Sequence, residues 1–156
     1  MKSTAINTKD SQRIAEIESV LNKLLRSQEK GDINDFADCF AQDENFVTIG
    51  TDIDEIWYDW PTFFSWMKSA ITKWQGYSIT EKNTRITMSN NGQVAWYSQL
   101  MDTCFETKGE PVRLEGFRHT GVVEYRNGKW LIVQSHISIP YIEPDEEEEA
   151  SNDLLI

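Results

Sequence analysis

Residues 118–140 read RHTGVVEYRNGKWLIVQSHISIP, and the fold turns on how this stretch is paired. Two runs rich in β-branched and aromatic residues flank the dipeptide Asn127-Gly128. Both of its residues tolerate the positive φ angles of a type I′ turn, so a two-residue hairpin is expected here. Such a loop fixes register. Arg126 then faces Lys129, Tyr125 faces Trp130, Val123 faces Ile132, Gly121 faces Gln134 and His119 faces His136.

The same signals recur upstream. Asn91-Gly92 marks a second hairpin, and residues 108–111 hold a third turn. Four long strands result, at roughly 77–89, 93–107, 112–126 and 129–139. Continuing the count, Trp96 faces Val123, Ser98 faces Gly121, Leu100 faces His119 and Asp102 faces Phe117. Thr87 faces Trp96, and Arg85 faces Ser98.

Before residue 77 the period is helical. Ile14, Ile17, Val20, Leu21, Leu24 and Leu25 form one apolar stripe, with Ser11 as cap and Gly31 as stop. Asp32 caps a short second helix carrying Ile33, Phe36 and Phe40. The run NFVTIG (45–50) reads as a strand, and TDIDEIWYDW (51–60) as irregular. Pro61 opens a third helix, capped by Asp59 or Trp60, that carries Phe63, Phe64, Met67, Ile71 and Trp74 and stops at Gly76. Helices first and a strand meander after them give an α+β class. The expected layout is a frayed N-terminus over 1–10, one domain over 11–141 and an acidic tail over 142–156.

Opposed residues share a face of a sheet. One face is therefore expected to hold Arg85, Trp96, Ser98, Asp102, Phe117, His119, Gln134, His136 and Ser138 with several aromatics. Apolar walls with a few placed polar groups are the make-up of a ligand cavity. The other face carries Tyr97, Met101, Val122 and Ile137 and is also apolar. A lone sheet with one wet side alternates more cleanly. Helices are expected over one side, and a second copy of the chain over the other.

Composition narrows the partners. The net charge is −11, and seven acidic residues between 143 and 153 supply most of it. Neither the body nor the tail suits phosphate backbones or anionic membranes. No apolar run spans a bilayer, and the polar start MKSTAINTKDSQ lacks a signal-peptide core, so a cytoplasmic setting is expected. Cys39 and Cys104 read as reduced structural thiols. There is no GxGxxG or GxxxxGK[ST] loop and no GxSxG elbow. No cofactor and no metal are expected; His119, His136 and Asp102 show no metal-ligand spacing.

The segments DFADCFAQDENFVTIGTDIDEIWYDW, AWY and RHTGVVEYRNGKWLIVQSHISIP together resemble the SnoaL-like branch of the nuclear transport factor 2-like superfamily, over about residues 11–140. The resemblance implies a cone-like fold, with three helices on a strongly curved mixed or antiparallel sheet, a pocket between them and usually a dimer through the sheets. It also implies a pocket role for the histidine at His136. The ketosteroid isomerases of that superfamily carry an aspartate at about the position of Thr48. The strand NFVTIG has no acid, which speaks against isomerase-type proton abstraction there.

Three functions follow as expectations. The first is a homodimeric small-molecule-binding protein for a partly apolar, acidic or neutral compound. Its walls would be Trp57, Tyr58, Trp60, Phe64, Arg85, Trp96, Ser98, Phe117, Gln134 and Ser138. The second is an isomerase, cyclase or dehydratase using His136 or His119 as general acid/base, with Asp102 orienting an imidazole. The third is a non-catalytic dimerisation or adaptor module whose acidic tail reaches a basic partner.

Overall fold

The computed structural model describes residues 8–74 and 76–143. The elements run α1 (Thr8–Lys30), α2 (Ile33–Ala37), β1 (Val47–Ile49), β2 (Ile56–Trp57), α3 (Trp60–Ala70), β3 (Ser78–Met88), β4 (Val94–Thr107), β5 (Glu110–Arg126) and β6 (Lys129–Ser138). The frayed start over 1–10 and the acidic tail over 142–156 lie outside the described residues, apart from 8–10 and 142–143. Thr8–Asp10 are helical, so α1 starts before the expected cap at Ser11.

Local chemistry explains the helices. Gly31, at φ 68°, takes the left-handed conformation that ends α1. The Asp32 side chain accepts from the Asn34 and Asp35 amides and starts α2. Asp59 accepts from the Thr62 amide, and Pro61 follows inside the first turn of α3.

Six strands form one open mixed sheet in the order β2-β1-β6-β5-β4-β3. Its long part is the expected meander. The expected irregular stretch contributes β2, antiparallel to β1, and β1 runs parallel to β6. Asn127 and Gly128 have φ of 50° and 86°, the geometry of the expected tight turn. Lys108 and Gly109, at 53° and 81°, make a second two-residue turn, tighter than the expected 108–111 loop. At residues 89–93 the register is as expected, but Asn91 is not left-handed; its Oδ1 accepts from the Gln93 amide and the Ser89 hydroxyl.

Three bulges bend the sheet and correct the expected faces. An extra residue enters β3 between Lys82 and Arg85, another enters β5 opposite Asp102 near Gly116, and Val133 is extra in β6. Each shifts the alternation by one residue. Gly121 therefore faces Ser135, and His119 faces Ile137, while His136 faces Thr120. Across β4 and β5, Tyr97 faces Gly121, Gln99 faces His119 and Met101 faces Phe117.

The face expected to hold one cavity is thus split between the two sides of the sheet. Phe117 and His119 point toward the helices, with Tyr97, Gln99, Met101 and Ser135. Arg85, Trp96, Ser98, Asp102, Gln134, His136 and Ser138 take the opposite, outer side by the same register. The main core lies between α1, α2, α3 and the sheet and includes Ile17, Leu21, Phe40, Phe46, Trp60, Phe63, Val123, Trp130 and Ile132.

Candidate functional site

A cavity of about 270 Å³ opens between the helices and the concave side of the sheet. α1 supplies Leu24 and Leu25 from its apolar stripe and the polar Gln28 beside them, and α3 supplies Phe63, Trp66 and Met67. Thr48 comes from β1, Met101 and Thr103 from β4, Phe117 and His119 from β5, and Ser135 and Ile137 from β6. Trp57, Trp74 and Tyr77 complete an aromatic rim. Trp57 packs on Trp66 with ring centroids 4.7 Å apart, and Trp74 stacks on Tyr77 at 5.1 Å.

His119 and Ser135, on the wall, belong to a polar cluster that continues behind it with Tyr97 and Gln99. The His119 side chain is 1% exposed and bonded through both nitrogens. Nδ1 lies 3.0 Å from Gln99 Nε2, its cross-strand partner. Nε2 lies 3.0 Å from the Tyr97 hydroxyl and 3.1 Å from Ser135 Oγ. Burial without a charged partner pushes the imidazole pKa down to about 4, so the ring is neutral at physiological pH. Desolvation likewise raises the Tyr97 phenol well above its ordinary value and holds the Tyr77 phenol up at about 12.

Gly121 makes this cluster geometrically attainable. It sits between Tyr97 and Ser135 in one row across three strands. A Cβ there would run into the Tyr97 hydroxyl and the Gln134 carbonyl. With hydrogen instead, the phenol crosses the strand and reaches His119 and Ser135.

Two further hydroxyls face the cavity. Thr48 and Thr103 are 6% and 5% exposed. The ionisable carboxyl on the wall is that of Glu55, which accepts from the Thr51 and Asp52 amides at the mouth.

Of the residues expected at the site, Trp57, Phe117 and His119 line this cavity. Tyr58 is 69% exposed on the approach to α3. Trp60 is buried in the aromatic core, and Phe64 stacks on it. Arg85, Trp96, Ser98, Gln134, His136 and Ser138 are on the outer side, for the register reason given above. Asp102 is also there, buried, held by Lys82, by Arg113 at 3.5 Å and by the Gly116 amide at 3.1 Å. Those cations and the amide keep its carboxyl below the usual range. The expected Asp102–His119–His136 grouping is therefore not assembled.

Sequence reasoning missed Tyr97, Gln99, Thr103, Ser135 and Tyr77. One signal was available: Gly121 lies mid-strand among bulky residues, where a glycine marks close approach of another group. Cys39 is a buried thiol, pushed up to about 12 by desolvation, with its sulfur against the Val20 and Asp35 carbonyls. Among the described residues no three or more His, Cys, Asp or Glu side chains gather as a metal site, and no helix is long and apolar enough to cross a membrane.

This arrangement of helices, open mixed sheet and enclosed cavity has close counterparts. Residues 17–142 match the SnoaL-like domain. The chain belongs to the SnoaL-like domain family. Solved structures agree at low identity. A candidate dehydratase of the nuclear transport factor 2-like family from Streptomyces avermitilis superposes with a TM-score of 0.75 at 9% identity, covering 85% of this chain and 99% of that one. A candidate scytalone dehydratase from Novosphingobium aromaticivorans gives 0.74 at 12% identity, with coverage of 86% and 89%. A candidate calcium/calmodulin-dependent protein kinase II association domain from Xanthomonas campestris gives 0.67 at 19%, with coverage of 80% and 86%. Comparison with curated proteins finds no match. Names drawn from dehydratases and from an association domain on one shared fold mean that the fold alone does not assign a role.

Proposed function

We propose that this SnoaL-like chain binds a small, largely apolar, uncharged organic molecule in the cavity between helices and sheet. The observation that carries the reading is an aromatic-walled space of about 270 Å³ with a few polar side chains, Thr48, Thr103, His119 and Ser135, on its wall. Apolar walls with a few placed polar groups are the make-up of a small-molecule site. The acidic ligand allowed by the sequence loses its support, because Arg85 is on the outer side and Glu55 would repel an anion. Binding is favoured over acid/base chemistry, because both His119 nitrogens are engaged and its pKa is far from the neutral range where a proton shuttle works. Thermal-shift screening with uncharged bicyclic aromatics tests this. Binders should raise the melting temperature of the wild type and should do so much less in Trp57→Ala. An unchanged ligand-induced shift in that variant would place binding elsewhere.

The same reading includes a second copy of the chain on the outer side. Trp96 is 49% exposed there, on the side that also carries Leu100, Val122 and His136. Sedimentation velocity at micromolar concentration should give a dimer that Trp96→Asp dissociates; a monomeric wild type would sink the proposal.

A further inference from the structure

A second, smaller hollow of about 230 Å³ lies on the far side of the His119 cluster, beneath α1. Thr84 and Gln99 line it, beside Glu18, Asn22 and Glu81. The β3 bulge, where Asn83 has a φ of 53°, turns Thr84 inward so that it meets Gln99. Thr84 Oγ1 donates to Gln99 Oε1 at 3.1 Å. This places the Gln99 amide nitrogen on the His119 side, 3.0 Å from Nδ1. An amide N–H is a donor only, so Nδ1 must be the acceptor. In a neutral imidazole the proton is then on Nε2.

The direction of every later bond follows. Nε2–H donates toward the Tyr97 and Ser135 oxygens, 3.0 and 3.1 Å away, so neither hydroxyl proton is aimed at the ring. Each of those two hydroxyls therefore keeps its own proton, pointed away from the ring. Of the two, Ser135 lines the main cavity, so its proton is the one available there.

We propose that Gln99, anchored by Thr84, is a positioning residue that fixes the Nε2–H form of His119 and thereby makes Ser135 a hydrogen-bond donor to the cavity, so that the ligand carries a neutral acceptor, a ketone or quinone-type oxygen, at that end. This rests on the cavity being a binding site. It adds which pole of the ligand meets the sheet and why.

The test has two arms. The first reads the free protein. Two histidines are present, so a His136→Gln background isolates the His119 ring signals. Long-range ¹⁵N–¹H correlation spectra at neutral pH should show Nδ1 unprotonated and Nε2 protonated. Gln99→Glu offers Nδ1 an acceptor in place of a donor, so the proton should appear on Nδ1, an outcome a merely space-filling role for Gln99 does not produce. A wild-type ring protonated on Nδ1, or no change in Gln99→Glu, overturns the ordering.

The second arm compares α-tetralone with tetralin, the same bicyclic frame with and without a carbonyl. Quenching of tryptophan fluorescence follows binding, since Trp57, Trp66 and Trp74 line the cavity. The ketone should bind roughly fivefold tighter in the wild type, the size of one neutral hydrogen bond, and Ser135→Ala should bring the ratio near unity. Equal binding of both compounds leaves the pocket reading intact and removes this one. If neither binds at millimolar concentration, the cavity is not a site for such molecules and the acceptor assignment falls with it.

Discussion

At one end of the concave face, Phe36, Phe40, Phe46, Trp60 and Phe63 meet ring to ring, with centroids 5.0 to 6.0 Å apart. Phe36, Phe40 and Phe63 also border the cavity, and beyond them, at the other end, Trp57, Trp66, Trp74 and Tyr77 surround its empty volume. Both ends are built from the same kinds of side chain. The difference lies in the backbone beneath them. The filled end sits where α2 and α3 approach β1 and β6, and Phe40 even bridges to Ile132. The open end sits against β4 and β5 beside the β5 bulge opposite Asp102, a device that bends a sheet. Aromatic content therefore says little about whether a region is core or pocket; what the backbone places opposite the rings decides it.

The largest expected effect separates the two ends directly. Phe46 is fully buried and contacts Phe40, Trp60 and Phe63. Phe46→Ala removes packing with no room to collapse and should cost about 4 kcal/mol in urea unfolding. Phe117 borders space that is already empty. Phe117→Ala loses mainly the transfer term, about 2 kcal/mol. Equal losses would mean that the open end collapses in solution and that no cavity persists there.

How much of this was readable in the sequence depends on distance from a tight turn. Asn127-Gly128 fixed the pairs from Arg126↔Lys129 to Val123↔Ile132, and those were read as observed. One residue further, Val133 bulges out, and the assignments of Gln134, His136 and Gly121 moved by one. A single extra residue leaves no trace in a pattern whose two faces are both apolar, because either phase looks acceptable. The helices were legible because their period, caps and stops each leave a separate mark. The site depended on the phase of three strands at once, so His119 was placed beside His136 and Asp102 when Tyr97, Gln99 and Ser135 were its true neighbours.

The two histidines allow one more test, smaller than the loss of Phe46 and specific to the open end. His119 is neutral in the folded chain, with a pKa near 4, and in the unfolded chain it has the ordinary value of 6.5. Between those values the unfolded state binds more protons, so stability rises with pH across that window and falls as the solution is acidified through it. A gap of that size amounts to about 3 kcal/mol, fully present above pH 6.5 and spent by about pH 4. The depressed carboxyls of Asp43 and Asp102 act on a lower range, since they lose their contribution only as the pH falls through and below the ordinary value of 3.8. Urea midpoints measured between pH 7 and pH 4.5 should therefore decline in the wild type and in His136→Gln alike. His119→Gln, which keeps a neutral polar group among Gln99, Tyr97 and Ser135, should be nearly flat over the same range. A wild type that is itself flat there would mean that the imidazole reaches water through the cavity. The polar end of the pocket would then be wet, unlike the dry aromatic end with which it shares the concave face.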